Sequence, residues 1–178
     1  NVKAATADEI GLSLDQFDFK TPDEQGHPDL RGVLAKRYGV SPQRVTITNG
    51  ATMGIYLTCA AAIEKGDEVL LESPNYETLY RVPLQLGADV RMIDRPFERG
   101  WQLDIEELER KVGRGTRAIL MTNMHNPSCT ATNPEKMQTI GQIARSSGAR
   151  VICSEVYLDN AFAPGHKPAA TYGDHLVS

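Results

Sequence analysis

Several things are scarce in this chain, and each shortage closes off a class of protein. There are only three cysteines, Cys59, Cys129 and Cys153, among 178 residues. Their odd number and the lack of any C-x-x-C or Cys/His spacing argue against a disulfide framework or a zinc site. They predict free thiols in a reducing, cytoplasmic setting, with no metal. Positive charge is in deficit, 19 Lys and Arg against 23 Asp and Glu, for a formal net charge of −4. No basic run is available to neutralise a nucleic-acid backbone. No apolar stretch reaches the ~20 residues that cross a bilayer. Neither nucleic acid nor membrane is therefore an expected partner. The start, Asn1-Val2-Lys3, has neither the basic nor the apolar region of a secretory signal. Repeats, low-complexity tracts and linkers are also missing, which predicts a single domain.

What is present is ordinary for a globular domain: 40% hydrophobic and 24% charged residues, in a chain long enough for a real core. Short apolar runs that suit strands fall at Val45–Thr48, Glu68–Glu72, Asp89–Ile93, Ala118–Thr122 and Arg150–Cys153, and another begins at His175–Ser178. Helical patterns lie between them. Leu30, Val33, Leu34 and Tyr38 share a face, and Gly39 is placed to end that helix. Asp104 with Glu107 resembles a capping box, and Asn133-Pro134 is a cap followed by a first-turn proline. The segment 51–63 is apolar on nearly every side, which predicts a buried helix. Alternating units of this kind predict an α/β fold, a three-layer α/β/α sandwich around a mostly parallel sheet. The first 25 residues are less regular and are expected to form an arm.

Four segments can carry chemistry. Thr48-Asn49-Gly50-Ala51-Thr52 ends an expected strand and opens the apolar helix. The unpaired N–H groups of such a terminus suit a phosphate, although a plain turn capped by Asn49 explains the same residues. Tyr76, in Glu72-Ser73-Pro74-Asn75-Tyr76, follows a strand, where an aromatic ring can stack on a flat heterocycle or simply pack the sheet edge. Asn123-Met124-His125-Asn126-Pro127-Ser128-Cys129 offers an amide at Asn126, or an ordinary Asn-Pro turn. Nothing near Cys129 signals a lowered thiol pKa, which favours a plain free cysteine over a nucleophile. Cys153-Ser154-Glu155-Val156-Tyr157 closes a strand with a hydroxyl, a carboxylate and a phenol.

Taken together, these segments resemble, in order and spacing, the signatures of the pyridoxal-phosphate (PLP) enzymes of the aminotransferase class I/II family. The likeness runs from Gly26 to Tyr157 and includes Gly26-His27-Pro28-Asp29-Leu30-Arg31, Tyr38-Gly39-Val40-Ser41 and Gly66-Asp67-Glu68-Val69. The resemblance implies a PLP cofactor. Gly50, Ala51 and Thr52 would hold its phosphate, and Tyr76 would lie on its ring. Asn126 and Tyr157 would bond its phenolic oxygen O3′, and Ser154 would face its ring nitrogen. It also implies amino-acid and 2-oxo-acid substrates, a homodimer, and cis bonds at Ser73-Pro74 and Asn126-Pro127.

The departures are as telling. Where the family has an aspartate that keeps the ring nitrogen protonated, this chain has Ser154, which offers one neutral hydrogen bond and no charge. Glu155 is no substitute on the alternation of strand residues. Met124, Ser128 and Cys129 replace the family's proline, threonine and glycine, and Lys20-Thr21-Pro22 lacks its tyrosine. Lys167 lies in a loop and is not expected to be the Schiff-base lysine, which the family's spacing puts beyond Ser178, so that no catalytic residue is expected within the chain. The likeness thus implies the cofactor-binding large domain, residues 26–178, without its small domain. An aminotransferase is the first reading. A PLP-dependent lyase or decarboxylase and a non-catalytic remnant are the alternatives.

Overall fold

The computed structural model describes residues 4–16, 23–162 and 165–178. Lys20-Thr21-Pro22 lies outside them. Ten regular elements follow in chain order: α1 (Pro28–Tyr38), α2 (Gly50–Ala62), β1 (Glu68–Ser73), α3 (Glu77–Gln85), β2 (Asp89–Asp94), α4 (Ile105–Lys111), β3 (Thr116–Thr122), α5 (Pro134–Ser147), β4 (Arg150–Ser154) and β5 (Leu176–Val177), with short 3-10 turns between them. The five strands form one sheet in the order β2-β1-β3-β4-β5, and every neighbouring pair is parallel.

Strand alternation divides the core in two. Val69, Leu71, Ala118, Leu120 and Ile152 face α2 and α3, meeting Ile55, Cys59, Leu79 and Val82. Leu70, Ile119, Met121, Val151 and Cys153 face α4 and α5, meeting Leu108, Met137, Ile140 and Ala144. Helices on both faces of a parallel sheet make the expected three layers. Local chemistry sets the helix ends. The Asp104 carboxylate accepts the Glu107 N–H at 3.1 Å, and Asn133 accepts the Lys136 N–H at 2.8 Å beside Pro134 in the first turn. Gly39, at φ +66°, ends α1 by donating to the Ala35 carbonyl.

Two expectations need correction. Val45–Thr48 is not a strand. The Ile47 N–H donates to Gln25 O at 2.8 Å and Val45 O accepts from Arg31 Nε at 2.9 Å, so this backbone is tied to α1 and the segment before it and not to the sheet. The α2 helix is not buried all round. Ile55 and Cys59 meet the sheet, but Met53, Tyr56 and Leu57 are 44, 44 and 47% exposed, because an outer-layer helix touches the sheet along one side only. On α1 the apolar face of Leu30 and Val33 is exposed as well, and Ala35 is the buried residue.

The connections position the site. The chain leaves β1 through α3 on one face and leaves β3 through α5 on the other, although β1 and β3 are neighbours. Their loops leave towards opposite faces at the carboxyl edge, and a switch point of this kind is where parallel α/β sheets form a ligand crevice.

Candidate cofactor site

Candidate residues stand on both sides of that crevice. On the α2 side, Thr52 Oγ1 and the Tyr76 hydroxyl are 3.2 Å apart, across 24 residues of sequence. Hydrogen bonds to Thr52 and then Thr78 hold the Tyr76 phenol below its ordinary pKa. Asn49 makes no side-chain capping bond, which removes the plain capped-turn explanation of this segment. The N–H groups of Ala51 and Thr52 have no partner among the described residues. Gly50 has φ +81°, a left-handed conformation that favours glycine, and open space where a Cβ would stand. The result is an exposed helix start with free donors and two hydroxyls beside it.

On the β3 side, Asn126 and Pro127 sit in a tight turn. The Asn126 N–H donates to Thr122 Oγ1 at 3.1 Å, while its side-chain amide bonds to none of the described residues. Ser73-Pro74 and Asn126-Pro127 are both cis, as expected, and Asn123-Met124 is cis too. Cys129, where the resemblance expects glycine, has φ +58° and an exposed side chain. His125 is buried. Its Nε2 lies 2.8 Å from Pro74 O, which can only accept, so the proton is on Nε2. Nδ1 lies 2.7 Å from Ser128 Oγ. Burial pushes the imidazole below its usual pKa. His125 therefore ties the loop after β3 to the loop after β1.

Ser154 ends β4 directly beside Thr122, and its carbonyl accepts the Asn123 N–H at 2.9 Å. The Ser154 and Tyr157 hydroxyls bond to none of the described residues. Glu155 is engaged elsewhere, accepting from Asn123 Nδ2 at 3.2 Å and the Ala169 N–H at 2.9 Å. Burial raises its carboxyl pKa, against the lowering effect of hydrogen bonds from Ser178, Ala169 and Asn123. Lys167 is an exposed loop residue.

The largest feature that sequence reasoning missed lies under these groups. Glu72 and Arg95 form an ion pair whose side chains are 1% and 0% exposed, at 2.5 Å. Glu72 Oε1 also accepts from the Thr122 N–H at 2.5 Å, Thr122 Oγ1 at 2.6 Å and Asn75 Nδ2 at 3.0 Å. Arg95 goes on to Trp101 O at 3.1 Å and Thr132 Oγ1 at 3.4 Å. The signal was a charged residue after Val69-Leu70-Leu71 in a buried strand, because a charge there needs a partner.

The comparisons agree with this architecture. The model of the family "Aminotransferase class I and II" matches residues 1–176. A probable aspartate/prephenate aminotransferase of Aquifex aeolicus is 26% identical over 88% of this chain and 46% of its own length. The cystathionine beta-lyase PatB of Bacillus subtilis is 25% identical over 90% of this chain and 43% of its own. A PLP-dependent aminotransferase of Streptococcus suis superposes with a TM-score of 0.89 at 27% identity, covering 98% of this chain and 50% of that one. The chain spans about half the length of the relatives it matches, and within that span it belongs to the class I and II aminotransferase family.

Proposed function

We propose that this chain is the cofactor-binding portion of a PLP-dependent aminotransferase, which moves an amino group between an amino acid and a 2-oxo acid. The observation that carries the reading is the meeting of Thr52 and Tyr76 at an uncapped helix start beside the β1/β3 crevice. PLP, when bound, supplies an electron-withdrawing ring for bond changes at the substrate's α-carbon. The protein's part is to bind and orient it. The free N–H groups of Ala51 and Thr52, with the Thr52 hydroxyl, suit a phosphate dianion. The ring of Tyr76 offers a flat face to a pyridine. The unengaged Asn126 amide and Tyr157 hydroxyl can donate to O3′ and hold negative charge there. These donors fit the group. Ser154 fits less fully, since it can bond a ring nitrogen but cannot hold it protonated.

In the same reading, residues 1–25 form an arm and 26–178 the cofactor domain of a cytoplasmic homodimer. Among the described residues no helix is long and apolar enough to cross a membrane. Two observations favour a second reading, a PLP-dependent lyase. A ring without a fixed positive charge is a weaker electron sink, and PatB is among the relatives. A non-catalytic remnant is the third reading.

The test is Ser154→Asp in the full-length protein. Single-turnover amination of the cofactor by a panel of amino acids should become at least about tenfold faster, ~1.4 kcal/mol of barrier. An unchanged rate, or a variant that accelerates β-elimination alone, would turn the assignment to the lyase. Absence of either reaction in both proteins would favour the remnant.

A further inference from the structure

The Glu72 carboxylate joins the two sides of the crevice. One oxygen, Oε1, accepts from Asn75, whose own Oδ1 accepts the Tyr76 N–H at 2.6 Å. The same oxygen accepts from Thr122, whose Oγ1 in turn accepts the Asn126 N–H at 3.1 Å. Tyr76 and Asn126 are thus each held through one intermediary on a single atom. The other oxygen, Oε2, is fixed by Arg95, which is anchored on the Trp101 carbonyl and Thr132. Thr132 is itself held, its N–H donating to Asn123 Oδ1 at 3.0 Å. Every group in this chain of bonds has a partner, and the Glu72–Arg95 pair at its centre is buried, which strengthens the charge-assisted links and holds their geometry.

Neither Glu72 nor Arg95 is among the residues expected to touch the cofactor. We propose that Glu72, clamped by Arg95, is a positioning residue that fixes Tyr76 and Asn126 relative to each other across the crevice. The proposal rests on the reading of this crevice as the PLP site. Its chemical content is a division of labour between two arms. The Asn75 arm sets where the aromatic face lies, and so sets how well a pyridine ring is held. The Thr122 arm sets where the Asn126 turn lies, and so sets how well the amide meets O3′. A bond to O3′ stabilises its ionised form and lowers its pKa, whereas stacking does not depend on that charge.

The experiment uses the full-length protein and pyridoxamine 5′-phosphate, which keeps the ring, O3′ and phosphate but cannot join a lysine covalently. Equilibrium dialysis gives its dissociation constant, and the near-ultraviolet band of the bound ring, followed against pH, gives the O3′ midpoint. Thr122→Val should weaken binding by about tenfold and raise the O3′ midpoint by about one pH unit. Asn75→Ala should weaken binding by about three- to tenfold and leave the midpoint in place. Glu72→Gln should do both. All are measured well below each variant's melting temperature. A purely structural role would lower the melting temperature and leave both readouts unchanged, and that result overturns the proposal. The two arm variants keep the Glu72–Arg95 pair, so the test survives if Glu72→Gln does not fold. Both arm variants shifting the midpoint equally would also overturn it. Failure of the unaltered protein to bind the probe would bring down the cofactor reading itself, and the proposal with it.

Discussion

Two stretches of the sheet's carboxyl edge are built in opposite ways. Under β1 and β3, Glu72, Arg95, Thr122 and His125 are buried and each is bonded to a partner. At the end of β4, the hydroxyl of Ser154 has no partner among the described residues, and Val156 and Tyr157 are exposed. The first stretch has the construction of a rigid seat, with donors fixed before a ligand arrives. The second leaves its hydroxyls free to turn towards one. Affinity and placement should therefore be set at β1 and β3, while the charge on the nitrogen of the bound ring should be set at β4. Ser154 can be exchanged at little structural cost, and Glu72 cannot.

The contrast can be broken most severely at Glu72. Glu72→Ala strands the buried Arg95 charge and should cost about 3–5 kcal/mol in urea unfolding. A loss below ~1 kcal/mol would mean that water reaches Arg95 and that the β1/β3 end is no more tightly built than the other.

Acid titration should separate the two stretches by sign. The folded-state pKa of His125 lies below its ordinary 6.5. Its contribution is therefore present above that value and is lost as pH falls through the folded pKa, at no more than ~1.4 kcal/mol per pH unit. Glu155 behaves in reverse, because its folded-state pKa lies above the ordinary 4.5. Its contribution is present below that value and is lost as pH rises through the folded pKa. Chemical unfolding from pH 4 to 8 should show each component removed separately, by His125→Gln and by Glu155→Gln. A pH profile unchanged by both substitutions would contradict the assigned burial.

Smaller effects sharpen the picture. Cys129 occupies a left-handed conformation that costs a side-chain-bearing residue ~1–2 kcal/mol, partly offset by the chain entropy a glycine gives up. Cys129→Gly should raise stability by about 0.5–1 kcal/mol in a thermal melt, and a loss would show that the thiol makes a compensating contact. Ser154→Ala should change stability by less than ~0.5 kcal/mol. A larger loss would place Ser154 among the supports of the fold, and the contrast between the two stretches would fail.

Much of this was legible in the order of residues. Apolar runs gave the five strands of the sheet, and Asn133-Pro134, Asp104 and Gly39 marked helix ends, because those signals act within four residues of their own position. Gly50 and Tyr76 were legible as well, since each follows an element whose end could be read. Val45–Thr48 misled because extended apolar backbone looks the same whether its partner is a sheet or, as here, Gln25. The burial of α2 misled because periodicity shows which sides are apolar and not which are covered. Glu72, on β1, and Arg95, just past the end of β2, stand 23 residues apart, and nothing local to either names the other.

The paired register of β1 and β3 stops at Leu71 and Leu120. Two residues past Leu120, the Thr122 N–H donates to the side chain of Glu72 and not to a peptide carbonyl. The spread between the two strands at their upper ends is therefore spanned by three carbon atoms of a glutamate. Peptide pairing comes in one length, but a side chain does not. Shortening this strut by one methylene, as aspartate would, must either draw the strands together or leave Arg95 and the Thr122 amide out of reach, so the aperture of the crevice is graded by the choice of residue at position 72.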